Sequence, residues 1–244
     1  MITAIIQARM GSSRLPKKVL MKMGNHIILK YMIDRVTKSK LIEKIVVATS
    51  VNELDDEIEK FCISNNINCF RGSENDVLDR YYMAAKKYKS TTIVRLTADC
   101  PLIDPEIIDK TIKLFNTKKV DYASNTVPPD IKKYPDGSDV EVFNFNNLEL
   151  AWKNVKDLKD REHVTFYFWK YDNNFSLALL KNIYDWGNYR ITVDYVEDFQ
   201  LVTHIIEFLD KNNLDGSLKE VIDFLDANPQ IKKINSQYTW GMNW

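Results

Sequence analysis

Glycine and cysteine are scarce in this 244-residue chain, which has seven glycines and three cysteines. Gly11 is the only glycine in the segment behind the first apolar run, so neither GxxxxGK[ST] nor GxGxxG can be spelled there. The cysteines, Cys62, Cys69 and Cys100, are odd in number and fall in separate predicted elements. They form no CxxC or Cys/His cluster, which argues against a zinc site or disulfide framework and for reduced thiols. Net charge is lacking too. The 34 basic residues balance 34 acidic ones, against the basic excess usual in a general nucleic-acid binder. No apolar run approaches membrane-spanning length. In MITAIIQAR the charges follow the apolar residues instead of preceding them, the wrong order for a secretory signal. A soluble cytoplasmic protein is the expectation.

What is present is ordinary bulk in a marked order. The chain is 45% hydrophobic and 28% charged, in the range of a globular protein with a substantial core. β-Branched runs at 3–8, 44–50, 66–72 and 90–98 read as buried strands. Between them, 27–39, 52–66, 75–88 and 104–117 show helical spacing. The last opens with Asp104 as N-cap, Pro105 at the first helical position and Glu106 in the first turn. This alternation predicts an α/β fold, a mostly parallel sheet with helices on both faces. The pattern changes near residue 125. Residues 125–145 hold three of the seven prolines, and DVEVFNF then alternates as an exposed or antiparallel strand does. REHVTFYFWKY (161–171) is aromatic-rich, and RITVDYVEDFQLVTHIIEFLD (190–210) reads as strand then helix. The expectation is one domain over 1–244, with 125–188 an excursion from the sheet and 190–226 the return.

Charge, balanced overall, is uneven locally. Arg9, Arg14, Lys17, Lys18, Lys22 and Lys30 all precede the first carboxylate, Asp34. In a parallel α/β sheet ligands gather at the carboxyl ends of the strands, so the loop behind the first strand lies at the default site. Cations around Gly11, Ser12 and Ser13 suit a polyphosphate, since charge-assisted hydrogen bonds contribute roughly 1.5–3 kcal/mol each. A solvated basic turn, or a phosphate-backbone contact for RNA, explains the clustering of charge equally well.

QARMGSSRLPKKVL resembles the signature of cytidylyltransferases related to CMP-Kdo and CMP-sialic acid synthetases, nearest the SpsF-like, spore-coat polysaccharide branch. RLTADCPLIDP (95–105), YPDGSDVEVF (134–143), REHVT (161–165) and RITVDYVEDFQLV (190–202) extend the likeness over at least 1–202. The resemblance implies a Rossmann-like, three-layer nucleotidyltransferase fold in which 125–188 carries acceptor and dimer contacts. It implies transfer of CMP from CTP to a sugar acid or phosphorylated small molecule, with pyrophosphate released. Mg²⁺ as cofactor and a homodimer follow from the same likeness. A nucleotide-sugar-dependent glycosyltransferase is the competing enzyme, though Asp99-Cys100-Pro101 stands where such enzymes commonly carry Asp-x-Asp. A non-catalytic nucleotide-binding subunit is the alternative outside catalysis.

Residue by residue, the resemblance puts Arg14 and Lys18 at the reacting phosphates, Lys18 in preference to Lys17 because it stands two residues after the proline. Ala8, Arg9, Gly11, Ser12 and Thr49 fall to the nucleotide, with Arg71, Gly72 and Ser73 near the base. Asp99 and Asp194 match metal-ligand positions; alone, each would be read as an N-cap or turn residue. Asp139 and Glu141 share one face of a strand and, with Arg161, His163 and Arg190, are candidates for the acceptor. Asp76 and Arg80 have the spacing of a helical salt bridge. Asp198 reads as a solvated helix position, and Phe166–Trp169 as core or subunit interface.

Overall fold

The computed structural model describes residues 1–128, 133–171 and 173–239. Parts of the expected excursion (129–132 and 172) and of the C-terminal tail (240–244) lie outside the described residues. A seven-stranded sheet forms the centre. Its strands are β1 (Ile2–Gln7), β4 (Lys44–Ser50), β5 (Asn68–Gly72), β6 (Thr92–Thr97), β7 (Tyr122–Ser124), β8 (Glu141–Asn144) and β9 (Leu177–Leu179), in the order β5-β4-β1-β6-β8-β7-β9. A small hairpin, β2 (Lys22–Met23) and β3 (His26–Ile27), turns through Gly24 at φ +56°. β5, β4, β1 and β6 are mutually parallel; β8 runs antiparallel to both β6 and β7, and β9 joins β7 in parallel. Pairing Ile5 with Val46 and Arg95 brings the carboxyl ends of the central strands to one edge.

Strand alternation divides the core. Ala4, Ile6, Val47, Val94 and Leu96 face one layer, and Ile5, Ala48 and Ile93 face the other. The first layer holds α1 (Ile28–Val36), α2 (Asp56–Ser64), α4 (Pro105–Lys118), α8 (Val196–Lys211) and α9 (Leu218–Ala227), with the short α10 (Pro229–Lys232) behind. The second holds α3 (Val77–Lys87), α5 (Phe145–Asn154) and the short α6 (Leu158–His163) and α7 (Phe166–Trp169). Asp104 caps α4 through the Glu106 amide, 2.8 Å away, as its sequence predicts.

Two expectations change. Residues 125–188 return to the sheet twice, supplying β8 in its interior and β9 at its edge. The predicted strand at 190–194 does not join the sheet as a strand; its pairing is an isolated bridge between Asp136 and Arg190. A left-handed Gly137 (φ +99°) brings the 136–139 turn so close to this segment that a Cβ there would lie 2.3 Å from the Thr192 nitrogen. The approach occupies the backbone that a neighbouring strand would need.

Candidate active site

The loop after β1 is held by its apolar members. Met10 and Leu15 are buried, and the Met10 amide donates to Asp55, 2.7 Å away. Between these anchors Ser12, Ser13 and Arg14 line a cavity of about 240 Å³, with Ala8, Arg9, Lys18, Asp99 and Asp194 also in its wall. Gly11 is not forced by its backbone. A Cβ there would meet nothing within 4 Å, so glycine leaves open space beside the loop. Lys17 adopts φ 62° and reaches outward to Glu57 at 3.5 Å. That left-handed step sends its neighbour inward. Lys18 is buried, with Nζ 2.8 Å from Asp194 Oδ1, 3.3 Å from Asp99 Oδ2 and 2.7 Å from the Val193 carbonyl. Arg14 approaches the same Asp194 oxygen at 3.0 Å and lies over the Tyr195 ring.

The charges tune one another. Burial alone would lower the Lys18 value, but Asp99 and Asp194 outweigh it and hold the ammonium above its ordinary pKa. Burial likewise opposes ionisation of Asp194, yet Lys18 and Arg14 hold its carboxyl below the usual range. Among the described residues no group of three or more His, Cys, Asp and Glu side chains is arranged to hold a metal alone. Two carboxylates converging on a single ammonium fit an ion that completes its shell with phosphate oxygens, which is the habit of Mg²⁺.

A second cavity, about 200 Å³, shares Arg14, Thr97, Asp99 and Asp194 with the first. Asp139, Glu141 and His163 line it, with Arg95, Asp136, Thr165 and Thr192. Glu141 is paired with Arg95 and accepts from the Tyr122 hydroxyl at 2.6 Å. Asp139 accepts from the Gly137 amide at 3.0 Å. Burial raises Asp139 to about 6, and burial together with Asp139 raises Asp136 to about 8. His163 stacks on Phe166 at 4.1 Å, and burial lowers its pKa. Val164 behind it takes φ 62° and ψ −53°, rare for a β-branched residue, and the Thr165 amide closes a tight turn onto the His163 carbonyl at 2.6 Å. Because Val164 is wholly buried, packing holds this strained turn and directs residues 163 and 165 to the cavity.

Other candidates are engaged elsewhere and line neither cavity. The Arg71 guanidinium binds the Ser50 and Asn52 carbonyls and pairs with Asp56 and Glu59. Arg161 binds Asp76 at 2.7 Å and the Trp152 and Val155 carbonyls. Asp76 also caps α3, so the expected partnership with Arg80 gives way to Arg161. Arg190 is buried and clamped to Asp198, Asp136 and Asp194. Ser73 accepts from the Asp76 amide, and its carbonyl accepts from Arg80. Gly72 leaves room for Arg80, since a Cβ on it would lie 3.1 Å from that side chain. Asp198, expected in solvent, is fully buried.

Among the described residues, buried polar atoms without hydrogen-bond partners include Gln7 Oε1, Thr49 Oγ1, Arg95 Nε, and Nε and Nη2 of Arg80. Arg80 is 1% exposed, and Gln7 lies in the first cavity's wall. Residues 7, 95, 136 and 198 carried sequence signals: a polar side chain ending an apolar run, a charge inside a β-branched strand, and aspartates within the RITVDYVED and YPDGSD motifs.

A sequence model of the family described as cytidylyltransferase matches residues 3–225. The chain belongs to the cytidylyltransferase family. SpsF of Bacillus subtilis, a spore coat polysaccharide biosynthesis protein, is 35% identical over 236 residues, 93% of this chain and 95% of its own. An uncharacterized protein of Methanocaldococcus jannaschii is 43% identical over 96% of this chain and 94% of its own length. A cytidylyltransferase structure from Leptospira borgpetersenii superposes with a TM-score of 0.87 at 34% identity, covering 95% of this chain and 96% of that one. The fold of this cytidylyltransferase is therefore the nucleotidyltransferase fold, and its likeness to the family continues past residue 202 into α9.

Proposed function

We propose that this enzyme transfers CMP from CTP to a sugar acid or a phosphorylated small molecule, with release of pyrophosphate, in surface-glycan biosynthesis. One observation carries the reading. Lys18 and Arg14 converge on Asp194, and Lys18 also on Asp99, at the wall common to two adjoining cavities. The first cavity, with its cations, takes the triphosphate; the second takes the acceptor. An acceptor oxygen bonds to the α-phosphorus as the bond to the β-phosphate bridging oxygen breaks. The electron pair leaves with pyrophosphate. Arg14 and Lys18 balance charge on the phosphates, and no side-chain nucleophile is required. Asp99 and Asp194 would hold Mg²⁺, which when bound neutralises phosphate charge. Asp139 takes the proton of an acceptor hydroxyl.

Cytosine is the base the family implies, and the unpaired donors of Arg80, which lies behind Gly72 and Ser73 and lines neither cavity, are the proposed contact to it. Leaving a buried donor unpaired costs about 1–3 kcal/mol, and Arg80 presents two such donors. Cytosine offers acceptors at O2 and N3, whereas uracil has a donor at N3. The name of the Bacillus relative supports a place in polysaccharide synthesis. A homodimer is part of the same proposal. Edge strand β9 leaves Leu177 exposed, and Ile183 beyond it is 90% exposed. The test is pyrophosphate release with four nucleoside triphosphates crossed against sugar acids and phosphorylated sugars and polyols. CTP alone should be consumed, and only with acceptor present. Consumption of UTP or GTP alone would overturn the cytidylyl assignment.

A further inference from the structure

The segment after α10 reaches back to the metal-side aspartate along two routes. Asn235 is 4% exposed, although it lies in a loop at the end of the described chain. Its Nδ2 donates to Asp198 Oδ1 at 2.8 Å and to the Arg190 carbonyl at 3.1 Å. Asp198 is a hub. It also accepts from Arg190 Nε and Nη2, each at 2.9 Å, and from the Asp194 and Tyr195 amides, each at 3.0 Å. Arg190 in turn approaches Asp194 Oδ2 at 3.4 Å, the oxygen opposite the one that meets Lys18 and Arg14. The second route is aromatic. Tyr238 stacks on Tyr195 with centroids 3.9 Å apart and planes 6° apart, and Arg14 lies 5.1 Å over that same Tyr195. The Tyr238 hydroxyl is fixed by Glu197 at 3.1 Å.

Both backbone and side chain of Asp194 are thus set by groups that Asn235 holds. A carboxylate that can swing is a poorer ligand, because each binding event must order it first. Groups that orient metal ligands typically contribute 10–100-fold in metal affinity. Asn235 and Tyr238 lie beyond the residues matched by the family model, which ends at 225.

We propose that Asn235 is a positioning residue for the metal site, acting through Asp198 and Arg190 to fix the carboxylate of Asp194. This rests on the reading of Asp194 as a metal ligand. The test titrates full-length protein with Mn²⁺ alone, read by the loss of the free-ion electron paramagnetic resonance signal, with thermal unfolding measured alongside. Asn235→Ala should weaken Mn²⁺ binding about 10-fold. Asn228→Ala is the control. Asn228 Nδ2 binds the Phe224 carbonyl at 2.8 Å, so this change loosens the same C-terminal segment without touching the hub. It should lower the unfolding temperature but leave Mn²⁺ affinity unchanged. Asp194→Asn should lose most Mn²⁺ binding. If Asp194→Asn loses it while Asn235→Ala binds as wild type does, the positioning role is wrong and the metal site stands. Equal weakening by Asn228→Ala reduces Asn235 to a structural residue. Unchanged binding in Asp194→Asn removes the metal-site reading and this inference with it.

Discussion

Lys17 and Lys18 are the same residue type, adjacent in sequence, with opposite surroundings: one pairs with Glu57 at the surface, the other is buried between two aspartates. Lys18→Ala should therefore lower kcat about 10²–10³-fold with the circular dichroism spectrum retained, while Lys17→Ala leaves kcat near wild type. Steady-state pyrophosphate release measures both. Asp139 gives a pH prediction. Burial raises its pKa to about 6, opposed by the Gly137 amide and reinforced by Glu141 and Asp99. The carboxylate is the form the fold disfavours. Its contribution to stability is therefore full below the unfolded value of about 3.9 and is lost as pH rises through about 6. Proton acceptance needs that carboxylate, so kcat/KM should rise with pH along a limb near 6. Asp139→Asn should abolish the limb and lower the rate about 10²-fold or more. For the proposed base contact, Arg80→Leu should raise the KM for CTP more than the KM for acceptor, since it removes the unpaired donors and Arg80 lines neither cavity.

At the scale of elements, two glycines hold loops against the body. Gly137→Ala would force its Cβ to within 2.3 Å of Thr192 N and 2.6 Å of Ile191 C, both backbone atoms. With φ at +99° as well, the change should destabilise by about 2–4 kcal/mol, measured from the urea midpoint. Gly216, at φ +74°, carries a carbonyl that Arg35 holds, and Arg35 also binds the Ile103 and Asp215 carbonyls. This clamp ties α1 to the turns before α4 and α9. The sequence exposed some of these elements and hid others for definite reasons. Strands β1, β4 and β6 were legible because burial on both faces makes their central residues largely apolar, whereas edge strand β5, with Asn68 exposed and its other residues half-buried, was legible from its place in the strand–helix alternation. β7 and β9, three residues each, are too short to show a period. The 190–194 run is β-branched for another reason: Ile191 and Val193 are core residues although the segment joins no ladder beyond one bridge.

For the whole molecule, the sheet gathers residues from positions 7 to 198 at one edge, and the dimer prediction belongs at this scale. Sedimentation should give about twice the chain's 28.6 kDa, and Ile183→Asp should shift the distribution towards monomer. No helix among the described residues is long and apolar enough to cross a membrane. The sequence by itself determined the α/β layering, through two periodicities, and the cationic loop with its aspartates, through residue order in distinctive motifs. Only the tertiary structure decided which charges face a cavity. Arg14 and Lys18 share a cavity wall, whereas Arg71, Arg161 and Arg190 are held by carboxylates and carbonyls brought from distant segments. Asp198 shows why. Helical spacing gives the direction of a side chain but not what covers it, and its cover is Asn235, 37 residues further along the chain.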